Sequence, residues 1–215
     1  MSASLVESTP QVLVEQSVIL HGVSWQTYEQ LMKDHENQSV PRFTYKNGEL
    51  EIFMPSEKHE ETIRSIEAFV SVYIEEKDLD MRSLGSTTFK HESLKNGVEP
   101  ACCFYIQNVE KVKNVSKIDL EIHPPPDLIV EVDITSPSIN RFPIYAKFGT
   151  KEIWQYQNDK IKIFALSKNK YTEISESIAL PKVTNETLTK FIAESKTEKR
   201  SVWLKNIRKW VSENC

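Results

Sequence analysis

The chain has 215 residues, 39% of them hydrophobic and 27% charged, a composition and length ordinary for one well-buried globular domain. A formal net charge of −4 argues against a protein built for non-specific polyanion binding, and no apolar run approaches the roughly 20 residues that span a bilayer. The start of the chain lacks the basic region of a secretory signal, and three cysteines without a CxxC pair favour a reducing cytoplasm over a disulfide framework or a zinc site.

The first part of the chain divides into a tail and a helix. Residues 1–19 are polar and lack a sustained period, which predicts a flexible tail before a single domain over residues 20–215. Ser24 is a plausible N-cap for a helix over residues 24–34. The apolar residues of this helix fall at helical spacing: Trp25, Tyr28, Leu31 and Met32.

A hairpin and a long helix follow. Residues 43–45 and 50–53 predict two strands joined near Asn47-Gly48, a strong two-residue turn signal. Ser56 then caps a helix to about residue 77, with an apolar stripe of Ile63, Ile66, Phe69, Val70 and Tyr73. Glu60 lies in the first turns beside His59, where an acidic residue also favours the helix dipole, so a structural role explains it as well as a functional one.

The central prediction is a strand over residues 127–134, bounded by prolines on both sides and preceded by short strands at about 80–84, 86–91 and 101–107. Because side chains alternate along a strand, two faces are expected. One face carries Leu128, Val130, Val132 and Ile134, and the other carries Asp127, Ile129, Glu131 and Asp133. The residues leave two interpretations open: an edge strand with a solvated acidic face, or carboxylates placed to hold a hard divalent cation such as Mg²⁺.

The remaining elements are helices and a second hairpin. A helix is predicted from Ser136-Pro137-Ser138 to about residue 148, ended by Gly149. A hairpin about Asn158-Asp159 joins strands over residues 151–157 and 160–166, and residues 171–174 add a strand. Helices over about 185–195 and 200–213 close the chain, the last with Trp203, Ile207, Trp210 and Val211 on one stripe.

Basic residues concentrate near the C-terminus. They are Lys196, Lys199, Arg200, Lys205, Arg208 and Lys209, opposed only by Glu194 and Glu198. This basic cluster is either the solvated side of a helix or a surface that contacts phosphates. A solvated helix side is the simpler interpretation, and Lys199, Arg200, Lys205 and Arg208 are the candidate nucleic-acid contacts.

Several stretches resemble the Uma-two family of restriction-endonuclease-like proteins, in the PD-(D/E)XK nuclease superfamily. They are SWQTYEQL, YKNGELEIFMPSEKHE, GSTTFKHE, GVEPACCFYI, PPPDLIVEVDITSPS and FPIYAKFGTKEIWQY, which together span roughly residues 20–166. The resemblance implies an α/β fold with a restriction-endonuclease-like core, in which a mixed central sheet is flanked by helices. It also implies DNA phosphodiester hydrolysis with Mg²⁺ or Mn²⁺, in which carboxylates hold the ion and a lysine assists.

The resemblance assigns the site residue by residue. Glu131 is matched to the acidic residue of the (D/E)XK element, Asp133 to the place of its lysine, and Arg141 to a lysine relocated to the following helix, while Glu60 is the helix carboxylate. The three carboxylates are thereby the implied metal ligands. Ala101 stands where the family has the aspartate after proline, so one ligand is missing, with Glu99 or Asp133 as substitutes.

The resulting hypothesis is a cytoplasmic, Mg²⁺-dependent endonuclease weakened by Ala101, which costs a ligand, and by Arg141, which cannot act as a base. DNA is the expected partner, bound weakly, with no membrane association and with homodimerisation left open. The alternative is a catalytically silent nuclease-fold protein that serves as a nucleic-acid-binding or protein-interaction module.

Overall fold

The computed structural model describes residues 15–36, 38–134 and 139–215, which form eleven strands and six helices. The strands are β1 (Gln16–Leu20), β2 (Arg42–Lys46), β3 (Glu49–Met54), β4 (Arg82–Ser83), β5 (Phe89–His91), β6 (Asn96–Val98), β7 (Cys102–Tyr105), β8 (Leu128–Asp133), β9 (Glu152–Gln157), β10 (Lys160–Ser167) and β11 (Lys170–Ile174). The helices are α1 (Trp25–Asp34), α2 (Glu57–Glu76), α3 (Val109–Val112), α4 (Phe142–Phe148), α5 (Asn185–Glu194) and α6 (Arg200–Asn214). None of these helices is long and apolar enough to cross a lipid bilayer.

Two sheets organise the described chain, where the sequence predicts one central sheet. The first has the order β1-β3-β2-β6-β5, and the second has the order β11-β10-β9-β8-β7-β4. Strand β8 lies inside the second sheet, antiparallel to β7 and parallel to β9. The mixed α/β fold is therefore confirmed, and the interpretation of residues 127–134 as an edge strand with a solvated face is wrong.

Side chains alternate between the two faces of β8, as predicted, and the two faces lie in different hydrophobic clusters. Leu128, Val130 and Val132 belong to the main core, which lies against the amphipathic helices α2, α5 and α6. Ile129 belongs to a second cluster that contains Ile144 and Tyr145 of α4, together with residues of β5, β6 and β7. Glu131 shares the face of Ile129, so it points toward α4 and the first sheet, into the space between the two sheets.

Local signals correctly predict most element ends. Ser24 and Ser56 accept hydrogen bonds from the backbone N–H groups of Thr27 and His59 and so cap α1 and α2. Both predicted hairpin turns form, with φ of 50° and 95° at Asn47 and Gly48 and of 51° and 57° at Asn158 and Asp159. These turns set the register of β2 with β3 and of β9 with β10.

Four elements differ from the prediction, one of them the short helix α3, which has four residues and was not predicted. Residues 16–19, expected in the tail, form most of β1, because pairing with β3 supplies a partner that no local pattern reveals. Strand β6 was not predicted; it pairs with β2 and β5, and a Cβ at its Gly97 would overlap the Tyr28 ring of α1. Helix α4 begins at Phe142, and the expected start at residues 136–138 lies outside the described residues.

Candidate active site

Glu131 is the centre of a buried hydrogen-bonded cluster between the two sheets. Its side chain is on β8 and the residue is only 3% exposed. Arg141, at the start of α4, donates from Nη1 to Glu131 Oε2 at 2.7 Å, and the Tyr145 hydroxyl, one turn further along α4, donates to Oε1. Both oxygens of Glu131 are thus held by one helix, because residues four apart lie on the same helix face.

The same arginine joins the two sheets. Its Nη2 donates to Glu51 Oε2 of β3 at 3.1 Å, and Glu51 is fully buried. The other oxygen of Glu51 accepts from Ser17 Oγ of β1 at 2.8 Å. A single guanidinium therefore bridges a carboxylate of each sheet, a geometry that suits its planar fork of donors.

Burial and neighbouring charges both shift the pKa values of the side chains in this cluster. Burial raises the pKa of Glu131, the Arg141 charge lowers it, and the neighbouring Asp133 charge raises it, so the pKa of Glu131 lies above its usual value. Burial alone would lower the pKa of Arg141, but the charges of Glu131 and Glu51 outweigh it and raise the pKa, which keeps the guanidinium protonated. The pKa of Tyr145 is raised by burial and by the Glu131 charge, so its hydroxyl stays a donor.

A second buried cluster lies at the start of α2. Arg42 Nη2 donates to Glu60 Oε1 at 2.5 Å, and Arg42 Nη1 lies 3.0 Å from His59 Nε2. A guanidinium can only donate, so Nε2 must accept and the His59 proton sits on Nδ1. That proton is donated to Glu15 Oε1, 2.7 Å away, while Glu15 Oε2 also accepts from the Ile134 backbone N–H at 3.3 Å, at the end of β8. The hydrogen bonds thus define His59 as the neutral Nδ1–H tautomer.

Phe53 of β3 lies between the two clusters. Its ring centroid is 5.7 Å from Arg141 Cζ and 5.3 Å from the His59 ring centroid. Glu99 adds a further carboxylate, which accepts from Thr88 Oγ1 and from the Phe43 backbone N–H, both at 2.6 Å. Burial raises the pKa of Glu99, and the charges of Arg42 and Arg141 both act against that rise, so this carboxylate lies in the field of both arginines.

The structure brings together some of the predicted site residues. Glu131 and Arg141 form a direct ion pair, and Asp133 lies two residues further along β8, half-buried, where it accepts from Gln155 Nε2 at 2.7 Å. Glu60 is paired with Arg42 instead of joining Glu131. Ala101 is buried in the main core directly before β7, and the β7–β8 register, which pairs Cys102 with Val130, leads one position further to Ala101 opposite Glu131.

Sequence reasoning missed Ser17 and Glu15 of these clusters, and also Arg42, Glu51 and Tyr145. A signal existed for Glu51, a charged residue between the apolar Leu50 and Ile52 of a half-buried strand. Tyr145 lies in the stretch FPIYAKFGTKEIWQY that resembles the family, yet the sequence analysis assigns it no role. Arg42 starts β2 and carries no local signal, because its partners lie 17 and 18 residues away.

The candidate basic surface is only partly available. Lys199, Arg200 and Lys205 are exposed, and the Arg200 guanidinium lies 5.9 Å from the Trp203 ring centroid. Arg208 instead pairs with two carboxylates of α2, at 2.9 Å from Glu75 and 3.3 Å from Glu76. The contact predicted for Arg208 is therefore in competition with internal ion pairs.

The donor set does not fit a resident metal ion as it is arranged. Carboxylate oxygens are the ligands that Mg²⁺ prefers, but both oxygens of Glu131 accept from protein donors and Glu60 is held by Arg42. Across residues 15–36, 38–134 and 139–215, no group of three or more His, Cys, Asp or Glu side chains is placed to hold a metal. Positive charge at this site is supplied by arginines.

Comparisons with known proteins identify the family of the chain and a solved structure with a similar fold. The family model described as "Uma2: Putative restriction endonuclease" matches residues 25–191. A crystal structure described as "a putative nuclease belonging to DUF820", from Anabaena variabilis ATCC 29413, has a TM-score of 0.55 and 12% identity, over 79% of this chain and 99% of that one. At that identity the likeness shows a shared fold, and no curated protein matches the chain. Since the family model spans most of the sequence, the chain belongs to the Uma2 family of restriction-endonuclease-like proteins.

Proposed function

We propose that the protein is a cytoplasmic, restriction-endonuclease-like nuclease that hydrolyses DNA phosphodiester bonds with low activity. The observation that carries the proposal is the Glu131–Arg141 pair, buried on the interior strand β8 and the following helix α4 of a nuclease-family fold. The same two positions are the ones that the family resemblance assigns to catalysis. Asp133 and Glu60 complete the proposed site.

The two residues have complementary chemical capacities. The pKa of Glu131 is raised by burial, so this carboxylate is suited to exchange a proton with an attacking water. Arg141 is permanently charged and can place two parallel N–H donors on a phosphate, which stabilises charge that develops during hydrolysis. Tyr145 orients Glu131 by donating to its second oxygen.

Two features account for low activity in this proposal. Arg141 is occupied by Glu131 and Glu51, so it must leave a carboxylate before it can contact a phosphate. Ala101 supplies no oxygen where the family has an aspartate. Dependence on Mg²⁺ or Mn²⁺ remains part of the proposal, and an ion at Glu131 would compete with Arg141 for the same carboxylate.

A groove of about 650 Å³ offers an approach for the DNA strand. It is lined by the start of α2, the end of α5 and the start of α6, with Lys58, Arg64, Lys196 and Arg200 among its side chains. Glu60 lines the same groove and is bonded to Arg42, so the groove meets the second buried cluster. The exposed end of the basic cluster, at Arg200, reaches into it.

A second candidate function is a catalytically silent nuclease-fold protein that binds nucleic acid or another protein. It is favoured by the internal pairing of Glu131, Glu51 and Glu60 with arginines, because a site whose charges are already balanced gains less from a bound ion.

Cleavage of supercoiled plasmid and of single-stranded DNA, in Mg²⁺, Mn²⁺ or chelator, separates the two candidates. The decisive variant is Glu131→Gln, which still accepts hydrogen bonds but cannot take up a proton as a carboxylate does. The matched control is Glu186→Gln, exposed in the first turn of α5. We expect slow, metal-dependent nicking by the wild type and by Glu186→Gln, with loss of at least about tenfold in Glu131→Gln.

Nicking that survives Glu131→Gln would place the activity elsewhere. No nicking by the wild type in any condition would favour the silent protein, and Ala101→Asp then tests whether a restored carboxylate recovers activity.

A further inference from the structure

In the part of the chain that the structure describes, strand β1 is an edge strand of the first sheet. Its only strand partner among the described residues is β3, with Val18 opposite Ile52. Val18 is 56% exposed, Ile19 38% and Leu20 42%, and Met54 of β3 is 43% exposed beside them. An apolar band therefore continues from the surface of β3 to the free edge of the sheet.

The sequence of β1 lacks the features that prevent an edge strand from pairing with a strand of another molecule. Proteins usually protect such strands with lysine, proline, inward charge or a bulge. The sequence QSVIL has no charged residue and no proline, and its five residues pair with β3 in unbroken register. Since no strand among residues 15–36, 38–134 and 139–215 lies on the other side of β1, its backbone groups on that side form a regular template for another strand.

We propose that β1 pairs antiparallel with β1 of a second copy of this chain. A two-fold axis at Val18 then places Val18 opposite its own copy and Gln16 opposite Leu20, as an interface between identical surfaces requires. The chain as a whole carries a net charge of −4 and repels its copy, whereas this strand is neutral. The paired sheets form one continuous sheet with five strands from each copy.

The pairing also supports the buried clusters between the sheets. Ser17 of β1 donates to Glu51, and Glu15, directly before β1, accepts from His59. A partner strand on the free edge therefore holds in place the strand that carries both contacts. The interface is small compared with a standard one of about 1,600 Å², so we expect a dissociation constant of about 1–100 µM.

Sedimentation of the full chain, from about 1 µM to 1 mM, tests the association. The variant Val18→Lys places two like charges opposite each other at the two-fold axis, and we expect it to weaken association at least about tenfold. The matched control is Val202→Lys, an equally apolar residue that is 42% exposed on α6, and it should associate like the wild type. A wild type that stays monomeric throughout, or equal effects of the two variants, would overturn the proposal.

Disulfide cross-linking tests the register. In a Cys215→Ser background, the variant Val18→Cys brings two thiols directly opposite, at a Cβ separation of about 4.5–5.5 Å that a disulfide can bridge after slight adjustment. In Leu20→Cys, on the same strand face, the thiol of each copy lies opposite Gln16 of the other copy, and the two thiols are too far apart to form a disulfide. We expect oxidation to cross-link Val18→Cys and not Leu20→Cys, while a mixture of Gln16→Cys and Leu20→Cys cross-links as a heterodimer. Equal cross-linking of the two single variants would mean random collision and would refute the two-fold pairing.

Discussion

Arg141 is the cation on which two buried carboxylates depend. Its guanidinium contacts Glu131 and Glu51, and all three residues are at least nine-tenths buried. Placing a charge in a protein interior costs several kcal/mol unless a partner compensates it. Removal of Arg141 therefore leaves carboxylates that must either stay charged without a partner or take up protons.

We predict that Arg141→Met lowers the free energy of unfolding by about 3–5 kcal/mol near neutral pH, because it breaks a buried ion pair from one side. Urea denaturation measures the loss. The control is Arg208→Met, which removes ion pairs to Glu75 and Glu76 at the surface and should cost no more than about 1 kcal/mol. Equal costs for the two variants would mean that the carboxylates around Arg141 are not charged in the folded protein.

Glu99 makes the stability of the folded protein depend on pH, and the direction of the raised pKa fixes the sign of that dependence. Burial raises its folded-state pKa above the usual value of 4.5. The unfolded chain has the usual pKa of 4.5 at Glu99, and the folded chain has the higher one. Between these two values the folded chain binds more protons than the unfolded chain, so the free energy of unfolding falls as the pH rises through that window. The loss begins at about pH 4.5 and is complete above the folded-state pKa.

The variant Glu99→Gln removes this titration and keeps an oxygen that can accept from Thr88 or Phe43. We predict that the difference in unfolding free energy, variant minus wild type, grows as the pH rises above 4.5. Denaturation of both proteins at a series of pH values measures it. A difference that is constant, or that shrinks with rising pH, contradicts a raised pKa at Glu99.

At the scale of elements, local sequence signals succeed where the element is stabilised by its own residues. Helix α2 has a capping serine and an apolar stripe, and the β2–β3 and β9–β10 hairpins have turn residues that accept positive φ. Each of these features acts between residues close in the chain, so it is visible in the sequence. Strand β8 was also predicted, because prolines bound it and its alternation is regular, although pairing with β7 and β9 stabilises it.

Elements stabilised by distant partners were missed or shortened. Strand β1 has only five residues and is exposed along most of its length, so it depends on its pairing with β3, in which the paired residues are 30 or more positions apart. Strand β6 has three residues, and it forms because β2 and β5 lie on either side of it. Neither strand has a hydrophobic period long enough to predict it.

The charge distribution of the whole molecule decides whether the basic cluster binds DNA. The remainder of the chain is net acidic, so phosphate attraction must come from a local surface. Lys199, Arg200 and Lys205 are exposed and form no ion pair with any residue that the structure describes, which leaves them free to contact phosphates.

Reversing Lys199, Arg200 and Lys205 to glutamate should weaken DNA binding and reduce the salt slope of log K by about 0.9 for each phosphate that is no longer neutralised. Fluorescence anisotropy at several salt concentrations measures both quantities. The control reverses Lys160, Lys168 and Lys170 on the β9–β11 hairpins, which changes the net charge equally and should leave the slope unchanged. If both triple variants behave alike, binding follows net charge and the cluster is a solvated helix face.

The sequence by itself determined the family, the mixed α/β class, most helices and hairpins, and the two faces of β8. These properties follow from patterns between near neighbours, which are written along the chain. It also located Glu131 and Arg141 as candidates, through the family resemblance.

Only the tertiary structure decided which charge meets which partner. Arg141 bridges to Glu51 across 90 positions of sequence, and His59 meets Glu15 across 44. It also placed Glu60 with Arg42 and left β1 at a free edge. No local pattern carries this information, because a buried charge selects its partner by distance in the folded interior, where the cost of remaining unpaired is highest.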